Sequence, residues 1–446
     1  MRVDYWWFLP QGLLSARPLR LPDVCSGHVV DLFAGAGGLS EGFRQAGYRI
    51  VAGMDVDPDA SATYSLNFPE AQSLVGDIRK KSVKQRLLHA AAQGDVVVGG
   101  PPCQAFSQVR NHARLIDDPR NSLYREFVKA VREVVPRAFV MENVPGLEQM
   151  GVKEQVLEDL RLGGMYRVEA QVLDAADFGI PQTRRRIVFI GIHDSLDRDP
   201  PQLRGTGATQ AITLARRNGI RPVHYDIEAG GDEWLTRLAD PLDPALVTAE
   251  QAISDLVALC AGRREDELPT AELPEPLSAY QAAMRDAAGD SIGNTSVPRI
   301  NEDTVLRLRG IPAGGNHRDL PGELLHRYLT GQRWGQDAGN GVLSRRHYYA
   351  YRRLFPGMWS WTLNTKADSV YHYESPRALS VREFARLQSF PDRFRFTTDV
   401  RKGELPGRID GGAAHSRYRQ VGNAVPPLLA RAIAAALAPV IARACD

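Results

Sequence analysis

The chain has 446 residues, of which 43% are hydrophobic and 24% charged, and its formal net charge is +2 at pH 7. This composition is ordinary for a soluble protein, the length allows roughly two or three domains, and the net charge singles out no partner. No apolar run approaches the roughly 18 residues of a membrane span, and no signal peptide is recognisable. The four cysteines, at positions 25, 103, 260 and 445, lie too far apart to suggest a zinc site or a disulfide framework. We therefore expect a cytoplasmic protein with no membrane segment and no metal.

Short apolar runs alternate with helical patterns in the first part of the chain. The predicted strands are residues 29–34, 50–56, 73–78, 95–99, 138–142, 167–173 and 186–192. The predicted helices are residues 39–46, 59–67, 82–92, 122–134 and 153–162. Repeated strand–helix units of this kind predict an α/β protein with a mostly parallel sheet and helices on both faces, an architecture typical of nucleotide binding.

The first predicted strand runs into a glycine-rich turn, DLFAGAGG, at residues 31–38. Such a turn lets backbone N–H groups and a helix N-terminus approach an anionic part of a ligand. A dinucleotide fingerprint that begins at Gly35 would need glycine at position 40, where the chain has Ser40. This difference disfavours a nicotinamide cofactor.

Acidic residues stand at the ends of the next two predicted strands. Asp55 could accept charge-assisted hydrogen bonds from both hydroxyls of a ribose, and Asp77 could accept one from an adenine amino group. Asp57, directly before Pro58, is instead typical of a helix N-cap. Together these residues predict a site for an adenosine that carries no pyrophosphate.

The sequence GGPPCQAFS, at residues 99–107, follows an apolar run and places Cys103 on a rigid turn. Its glycines allow a close approach to a ligand, while Pro101 and Pro102 fix φ and remove two backbone donors. The alternative is a buried structural cysteine, but such a residue needs no Gly-Gly-Pro-Pro before it. We expect Cys103 to lie at the carboxyl end of a strand, where open α/β sheets bind their ligands, and to act as a nucleophile.

Two further polar sets stand near predicted strand ends. Glu142, in MENV, could carry a proton in a partly apolar cleft and donate it to a ring nitrogen. Arg184 and Arg186, in QTRRRIVFIG, alternate with Arg185 along a strand and would face the same side. Two guanidinium groups there would suit a phosphate or a carbonyl oxygen, although a surface ion-pair cluster is the common alternative.

The regular alternation of predicted strands and helices ends at about residue 194. Residues 194–276 are rich in acids, proline and glycine and are interpreted as a linker or insertion. Residues 307–353 hold nine arginines against three acidic residues, with aromatic side chains interleaved. This composition is expected of a surface that grips nucleic acid, with an ordinary solvated arginine-rich face as the alternative.

An amphipathic helix is predicted in VREFARLQSFPD, residues 381–392, with Phe384 and Leu387 in the core. We interpret Glu383 and Arg386 on this helix as mainly structural. The chain closes with an Ala-rich helix at residues 428–444.

Eight motifs follow one another along the chain: DLFAGAGGLSEGF, MDVDPDA, GDI, GGPPCQAFS, MENV, QTRRRIVFIG, RALSVREFARLQSFPD and QVGNAVPP. In this order they resemble the DNA cytosine-5 methyltransferases, over residues 29 to about 191 and from 362 to the end. The resemblance implies a Rossmann-like, S-adenosylmethionine-dependent methyltransferase fold of the α/β class, plus a smaller target-recognition domain. The expected division is an N-terminal extension (1–28), a catalytic domain (29–193), a linker or insertion (194–276), a target-recognition region (277–400) and a C-terminal segment that returns to the catalytic domain (401–446).

The resemblance also implies a role for each matching residue. Cys103 would be the nucleophile, Glu142 would hydrogen-bond the cytosine ring nitrogen, and Arg184 and Arg186 would position the flipped base. The cofactor-binding residues would be Phe33, Ala34, Gly35, Gly37, Gly38, Asp55, Val56, Asp77, Ile78, Pro101, Asn423 and Ala424. The residues that would contact DNA are Gln104, Ser107, Arg345 and Arg346. Val56 departs from the family pattern, because some members have an aromatic residue there against the adenine.

The implied reaction is methylation at C5 of a cytosine in double-stranded DNA, with S-adenosyl-L-methionine as the cofactor. We expect a monomer that serves a restriction-modification system with a companion restriction endonuclease, or that acts as an orphan modification enzyme. The alternatives are an RNA cytosine-5 methyltransferase, a catalytically silent DNA-binding regulator and a small-molecule methyltransferase. Every polar residue that the chemistry requires is present, which argues against the silent regulator, and a small-molecule enzyme would not need the arginine-rich stretch.

Overall fold

A computed structural model describes residues 27–92, 94–102, 122–149, 152–210, 212, 246–256, 258–329, 351–399 and 413–442. The strands of its central sheet are β1 His28–Leu32, β2 Arg49–Asp55, β3 Gln72–Val75, β4 Val96–Gly99, β5 Ala138–Asn143, β6 Tyr166–Asp174 and β7 Arg185–His193. Their order across the sheet is β3-β2-β1-β4-β5-β7-β6. Strands β1 to β5 pair in parallel, whereas β7 is antiparallel to both β5 and β6. The predicted α/β fold with a mostly parallel sheet is therefore confirmed.

The predicted strands are all present, with bounds that differ by a few residues at most. The largest difference is at β3, which ends at Val75 although the pattern predicts a strand to position 78. Gly76 has a φ of +150°, a value that L side chains rarely adopt, and the chain turns there. Asp77 consequently lies just beyond the strand rather than within it.

Helices connect these strands and cover both faces of the sheet. They are α1 Gly38–Gln45, α2 Pro58–Asn67, α3 Lys81–Ala91, α4 Ser122–Val134, α5 Gly146–Gln149 and α6 Lys153–Arg161. Because successive strand residues point to opposite faces, Val29 lies in one hydrophobic core and Val30 in the other. Helix α2 begins as predicted, since the Asp57 side chain accepts a hydrogen bond from the Asp59 N–H at 3.0 Å.

The second half of the chain adds short elements, several of which pack into one of these cores. They are α7 Ala249–Ile253, β8 Glu267–Pro269, α8 Ala279–Arg285, β9 Ser291–Gly293, α9 Glu302–Arg309, α10 Gly322–Leu329 and α11 Val381–Leu387. Strands β8 and β9 form an antiparallel pair. Ala252 and Ile253 of α7 are buried in the same core as Val29, together with Phe384 of α11. The part of the predicted linker from residue 246 onward is thus packed against the sheet domain.

Helix α11 carries charged side chains that are completely buried. Arg386 pairs with Asp392 at 2.7 Å and with Asp255 at 3.0 Å, and Glu383 pairs with Arg377 at 2.8 Å. Each of these groups finds its partner inside the protein, as buried charges must. The mainly structural role predicted for Glu383 and Arg386 is confirmed.

Two helices close the described chain, α12 Ala413–Asn423 and α13 Pro427–Ile441. Helix α13 packs closely on α1, since a Cβ added to Gly42 would lie 2.4 Å from the Ala430 Cβ and from the Pro427 carbonyl oxygen. Among the described residues, 416–441 form the one helical stretch with the length and mean hydropathy, 1.8, of a membrane span. Half of its 18-residue apolar window is buried in the protein.

Candidate active site

The carboxyl ends of four neighbouring strands form one edge of the sheet. Leu32 of β1 pairs with Met54 of β2 and with Gly99 of β4, which in turn pairs with Met141 of β5. The residues that come next along these strands are Phe33, Asp55, Gly100 and Glu142. The structure therefore brings the predicted cofactor residues and the predicted Glu142 to the same edge.

The glycine turn after β1 adopts left-handed backbone conformations. Phe33, Gly35 and Gly37 have φ values of +60°, +54° and +99°. The Gly35 N–H donates to the Asp55 carboxylate at 2.8 Å, and the Ala34 N–H donates to the Met54 carbonyl at 2.9 Å. The turn is thus fastened to the end of β2, directly before α1 begins at Gly38.

Asp55 anchors two loops at once. One carboxylate oxygen accepts from the Gly35 N–H and the other accepts from the Asp57 N–H, each at 2.8 Å. Burial raises the pKa of Asp55 above its ordinary value, and these hydrogen bonds counteract the shift. A carboxylate oxygen can accept more than one hydrogen bond, so Asp55 keeps the capacity to receive ribose hydroxyls.

Asp31 lies completely buried beneath the glycine turn, and sequence reasoning assigned it no function of its own. Its Oδ2 accepts from the Ser40 N–H at 3.2 Å and from the Ser40 hydroxyl at 2.7 Å. Within the described residues its Oδ1 has no hydrogen-bond partner. Burial, with a smaller contribution from Asp55, raises the pKa of Asp31 to about 7. An incompletely satisfied carboxyl group therefore sits next to the turn that would hold the ligand.

The predicted adenine end of the site is open to solvent. Val56 is 66% exposed, whereas Ile78 is buried. Asp77 forms a two-pronged ion pair with Arg79, whose Nη2 lies 2.7 Å from Asp77 Oδ2. The hydrogen bonds from Arg79 lower the pKa of Asp77 to about 2, so this carboxylate is an ionised acceptor.

Glu142 and Arg186 form an ion pair at the ends of β5 and β7. The Arg186 Nε lies 2.5 Å from the Glu142 Oε1, and both side chains are largely buried. A Cβ added to Gly100 would lie 2.9 Å from the Glu142 Oε2, so glycine at position 100 leaves room for this carboxyl group. The carboxyl group therefore adjoins the Pro101–Pro102 turn, as the predicted chemistry requires.

Arg184 is buried and bonded mainly to the main chain. Its Nη2 donates to the Gly422 carbonyl at 2.8 Å and its Nη1 to the Leu363 carbonyl at 3.4 Å. Burial lowers the pKa of this guanidinium well below its ordinary value, and Arg186 is a charged neighbour that acts in the same direction. The side chain joins three distant segments, while its contact with a flipped cytosine stays a prediction.

Asn143 is a positioning residue that sequence reasoning missed. Its Nδ2 donates to the Pro101 carbonyl at 3.1 Å, and its Oδ1 accepts from the Val144 N–H at 2.8 Å. It therefore holds the peptide that leads into the predicted nucleophile. The available signal was its place directly after Glu142 in MENV.

The loop after α12 reaches the glycine turn. A Cβ added to Gly38 would lie 2.2 Å from the Val425 carbonyl oxygen, so the loop and the start of α1 are in close contact. Asn423 is exposed there, and Ala424 is partly exposed. The structure thus brings these two predicted cofactor residues near Gly38.

Some predicted site residues cannot be placed. Cys103, Gln104, Ser107, Arg345 and Arg346 lie outside the described residues. Across the described ranges, no group of three or more His, Cys, Asp or Glu side chains could hold a metal ion.

Comparisons with known proteins agree with this arrangement. The chain matches the C-5 cytosine-specific DNA methylase family over residues 27–227 and 281–438. It is 33% identical to the Type II methyltransferase M1.HphI of Haemophilus parahaemolyticus, over 92% of this chain and 86% of that protein. It is 32% identical to the Type II methyltransferase M.AgeI of Thalassovita gelatinovora, over 91% of this chain and 97% of that protein.

A solved structure has the same fold. It is that of a candidate DNA modification methyltransferase encoded within an E. coli prophage, with a TM-score of 0.61 and 23% sequence identity, over 93% of this chain and 99% of that one. The strand order, the edge that joins Asp55 to Glu142, and the family match over most of the length agree. This chain therefore belongs to the family of C-5 cytosine-specific DNA methylases.

Proposed function

We propose that this enzyme methylates C5 of one cytosine within a short recognition sequence of double-stranded DNA, using S-adenosyl-L-methionine. The observation that carries the proposal is the Glu142–Arg186 pair beside the Pro101–Pro102 turn, on the sheet edge that also holds Asp55. A carboxyl group and a guanidinium at one strand end can recognise a base edge, while a ribose is held a few strands away.

The residues of the glycine turn fit the proposed cofactor. Apart from the chain neighbours of Gly35, no atom of the described residues lies within 4 Å of the position that a Gly35 Cβ would take, so this side of the turn is open in the described part of the chain. Asp55 would accept the ribose hydroxyls, Asp77 the adenine amino group, and the exposed Val56 would lie against the base. When bound, S-adenosylmethionine supplies a methyl group on a positively charged sulfur.

Cytosine must be activated before it can accept a methyl group, because its C5 is a poor nucleophile. In the proposed reaction the Cys103 thiolate adds to C6 while a proton reaches N3 through Glu142, which makes C5 an enamine carbon. After C5 has taken the methyl group, which would leave S-adenosylhomocysteine as the second product, loss of the C5 proton, departure of the thiolate and return of the N3 proton to Glu142 would restore the aromatic ring. Arg184 and Arg186 are the positive charges that would favour the thiolate and hold the base.

The target base is inaccessible inside a duplex, so it has to be flipped out of the stack. Flipping costs roughly a few kcal/mol, which contacts to the backbone and the grooves must offset. Gln104 and Ser107 would make such contacts beside the nucleophile, and Arg345 and Arg346 from the target-recognition region at 277–400.

The biological setting is part of the proposal. The relatives described above are named Type II methyltransferases, which supports a role in a restriction-modification system with a companion endonuclease, or as an orphan modification enzyme. We further propose that the enzyme acts as a cytoplasmic monomer without a metal.

The proposal is tested by methyl transfer from labelled S-adenosylmethionine to a DNA library of varied sequence, beside matched RNA, followed by single-base mapping of 5-methylcytosine. We expect label at one cytosine of one short DNA motif, and none with Cys103→Ala. Label on RNA alone would contradict the proposal in favour of an RNA cytosine-5 methyltransferase. Cofactor binding with no transfer to either nucleic acid would favour a silent regulator.

A further inference from the structure

Two fully buried amide side chains connect the two sides of the site. Gln182 lies two residues before Arg184, at the entry to β7, and Gln388 directly follows α11. The Gln182 Nε2 donates to the Gln388 Oε1, and the Gln388 Nε2 donates to the Ala424 carbonyl at 2.7 Å. A chain of hydrogen bonds therefore runs from the segment before β7 that carries Arg184 to Ala424, which directly follows Asn423 at the end of α12.

The orientation of both amides is fixed by their other partners. The Gln182 Oε1 accepts from the Leu363 N–H at 2.9 Å, so its Nε2 must face the Gln388 Oε1. The Gln388 Nε2 is then the group left to meet the Ala424 carbonyl. Turning either amide around would place acceptor against acceptor in a buried site, which is unfavourable.

Further contacts hold the ends of α12 and α13, the two helices on either side of Ala424. The Arg184 Nη2 donates to the Gly422 carbonyl at 2.8 Å, and the Ser389 hydroxyl accepts from the Leu428 N–H at 3.1 Å. Ser389 has a φ of +64°, a conformation uncommon for a residue other than glycine. The chain turns sharply there, and the hydroxyl of Ser389 meets the first turn of α13.

We propose that Gln182 and Gln388 are positioning residues that couple occupation of the cofactor site to placement of the target cytosine. This inference rests on the proposed function, because it takes the Arg184–Arg186 segment as the cytosine side and the Asn423–Ala424 segment as the cofactor side. Buried hydrogen-bonded networks lose favourable energy when one link is broken, so a shift at one end is resisted at the other. Through these hydrogen bonds the two amides couple the positions of segments that are far apart in sequence.

The test is calorimetric binding of S-adenosylhomocysteine to the full chain and to Gln182→Met, Gln388→Met and the double variant. Methionine keeps the length of the side chain and removes the amide. We expect each single variant to bind about fivefold more weakly, and the double variant no more weakly than the weaker single one, because the chain is broken only once. Addition of a duplex with the mapped motif should strengthen S-adenosylhomocysteine binding in the wild type and less so in the variants.

Gln420→Met is the matched control. Gln420 is also a buried amide, which donates to the Thr397 carbonyl at 2.8 Å and accepts from the Thr63 hydroxyl at 2.6 Å, but it has no contact with the Gln182–Gln388 chain. This variant should lower the melting temperature and leave the affinity for S-adenosylhomocysteine unchanged.

Additive losses in the double variant, or wild-type affinity in Gln182→Met, would overturn the proposal. If Gln388→Met does not fold, Gln182→Met alone decides, since Gln182 lies at the end of the chain remote from Ala424. The affinities for S-adenosylhomocysteine alone need no DNA, so a failure of methyl transfer would contradict the proposed function and still leave these affinities interpretable. Equal strengthening by the duplex in the wild type and the variants would overturn the coupling.

Discussion

Buried charged side chains on and around α11 in the second half of the chain differ in their hydrogen bonding from those at the sheet edge. In the second half Arg382, Arg386 and Asp392 are fully buried, and each is held by ion pairs or main-chain hydrogen bonds. At the sheet edge, Asp31 keeps one buried oxygen without a partner in the described chain, and Glu142 offers one oxygen to Arg186 and the other to the space beside Gly100. In this comparison the three saturated charges hold elements together, whereas the Asp31 oxygen without a partner lies beside the turn that is proposed to receive the ligand.

The largest effect is expected from removing the acid at the sheet edge. Glu142→Gln keeps the shape of the side chain but cannot supply a proton in the same way, so kcat should fall by about 100- to 10,000-fold. Binding of S-adenosylhomocysteine and the melting temperature should stay near wild type. Glu133→Gln, at an exposed position paired with Lys84, is the matched control and should leave kcat unchanged. Near-wild-type turnover of Glu142→Gln would contradict the role assigned to this carboxyl group.

A charge of the second half should affect stability rather than chemistry. Arg386→Met leaves Asp255 and Asp392 without their shared partner, so the free energy of unfolding in urea should fall by about 3 to 5 kcal/mol. Arg161→Met removes an exposed ion pair with Glu158 and should change the free energy of unfolding by less than about 1 kcal/mol. Equal effects of the two substitutions would remove the distinction between saturated and surface charges.

The pH dependence of stability tests the comparison at Asp31. Its pKa rises from an ordinary 3.8 to about 7 in the folded protein, so between these values the folded state holds a proton that the unfolded chain has lost. This carboxyl group therefore favours folding most below pH 4, and its contribution is lost as the pH rises through 7. Between pH 4 and 8 this carboxyl group should change the free energy of unfolding of the wild type by up to about 4 kcal/mol, and Asp31→Asn should remove this change. If the free energy of unfolding changes with pH in the same way in the wild type and in the variant, the raised pKa of Asp31 is contradicted.

The sequence pattern was sufficient for the sheet and for the polar edge. Runs such as Val96 to Val98 alternate with amphipathic helices, and polar residues that end parallel strands meet at one edge whatever the details of packing. Asp55 and Glu142 could be placed together on that ground alone, whereas Arg186 joins them because β7 is antiparallel to β5 and begins at this edge. The family motifs then supplied the identity of the reaction.

Other features depend on contacts that no local pattern encodes. Ala252, Ile253 and Leu256 are buried, although the proline- and glycine-rich surroundings of α7 allowed only the interpretation as a linker or insertion, without a prediction of what it packs against. Gln182 and Gln388 are separated by about two hundred residues, and their hydrogen bond becomes visible only when β7 and α11 are packed. Long-range hydrogen bonds between polar side chains leave no periodic signature in the sequence.

The most direct measurement of the central claim is mass spectrometry of the enzyme after incubation with S-adenosylmethionine and a duplex that carries 5-fluorocytosine at the mapped target position. Fluorine cannot leave C5 as a proton does, so the proposed reaction should stop after methyl transfer with the DNA still attached to the protein. We expect a covalent adduct on the peptide that contains Cys103, and its absence in Cys103→Ala. An adduct on another residue, or methylation of ordinary DNA with no adduct on the fluorinated duplex, would contradict the account.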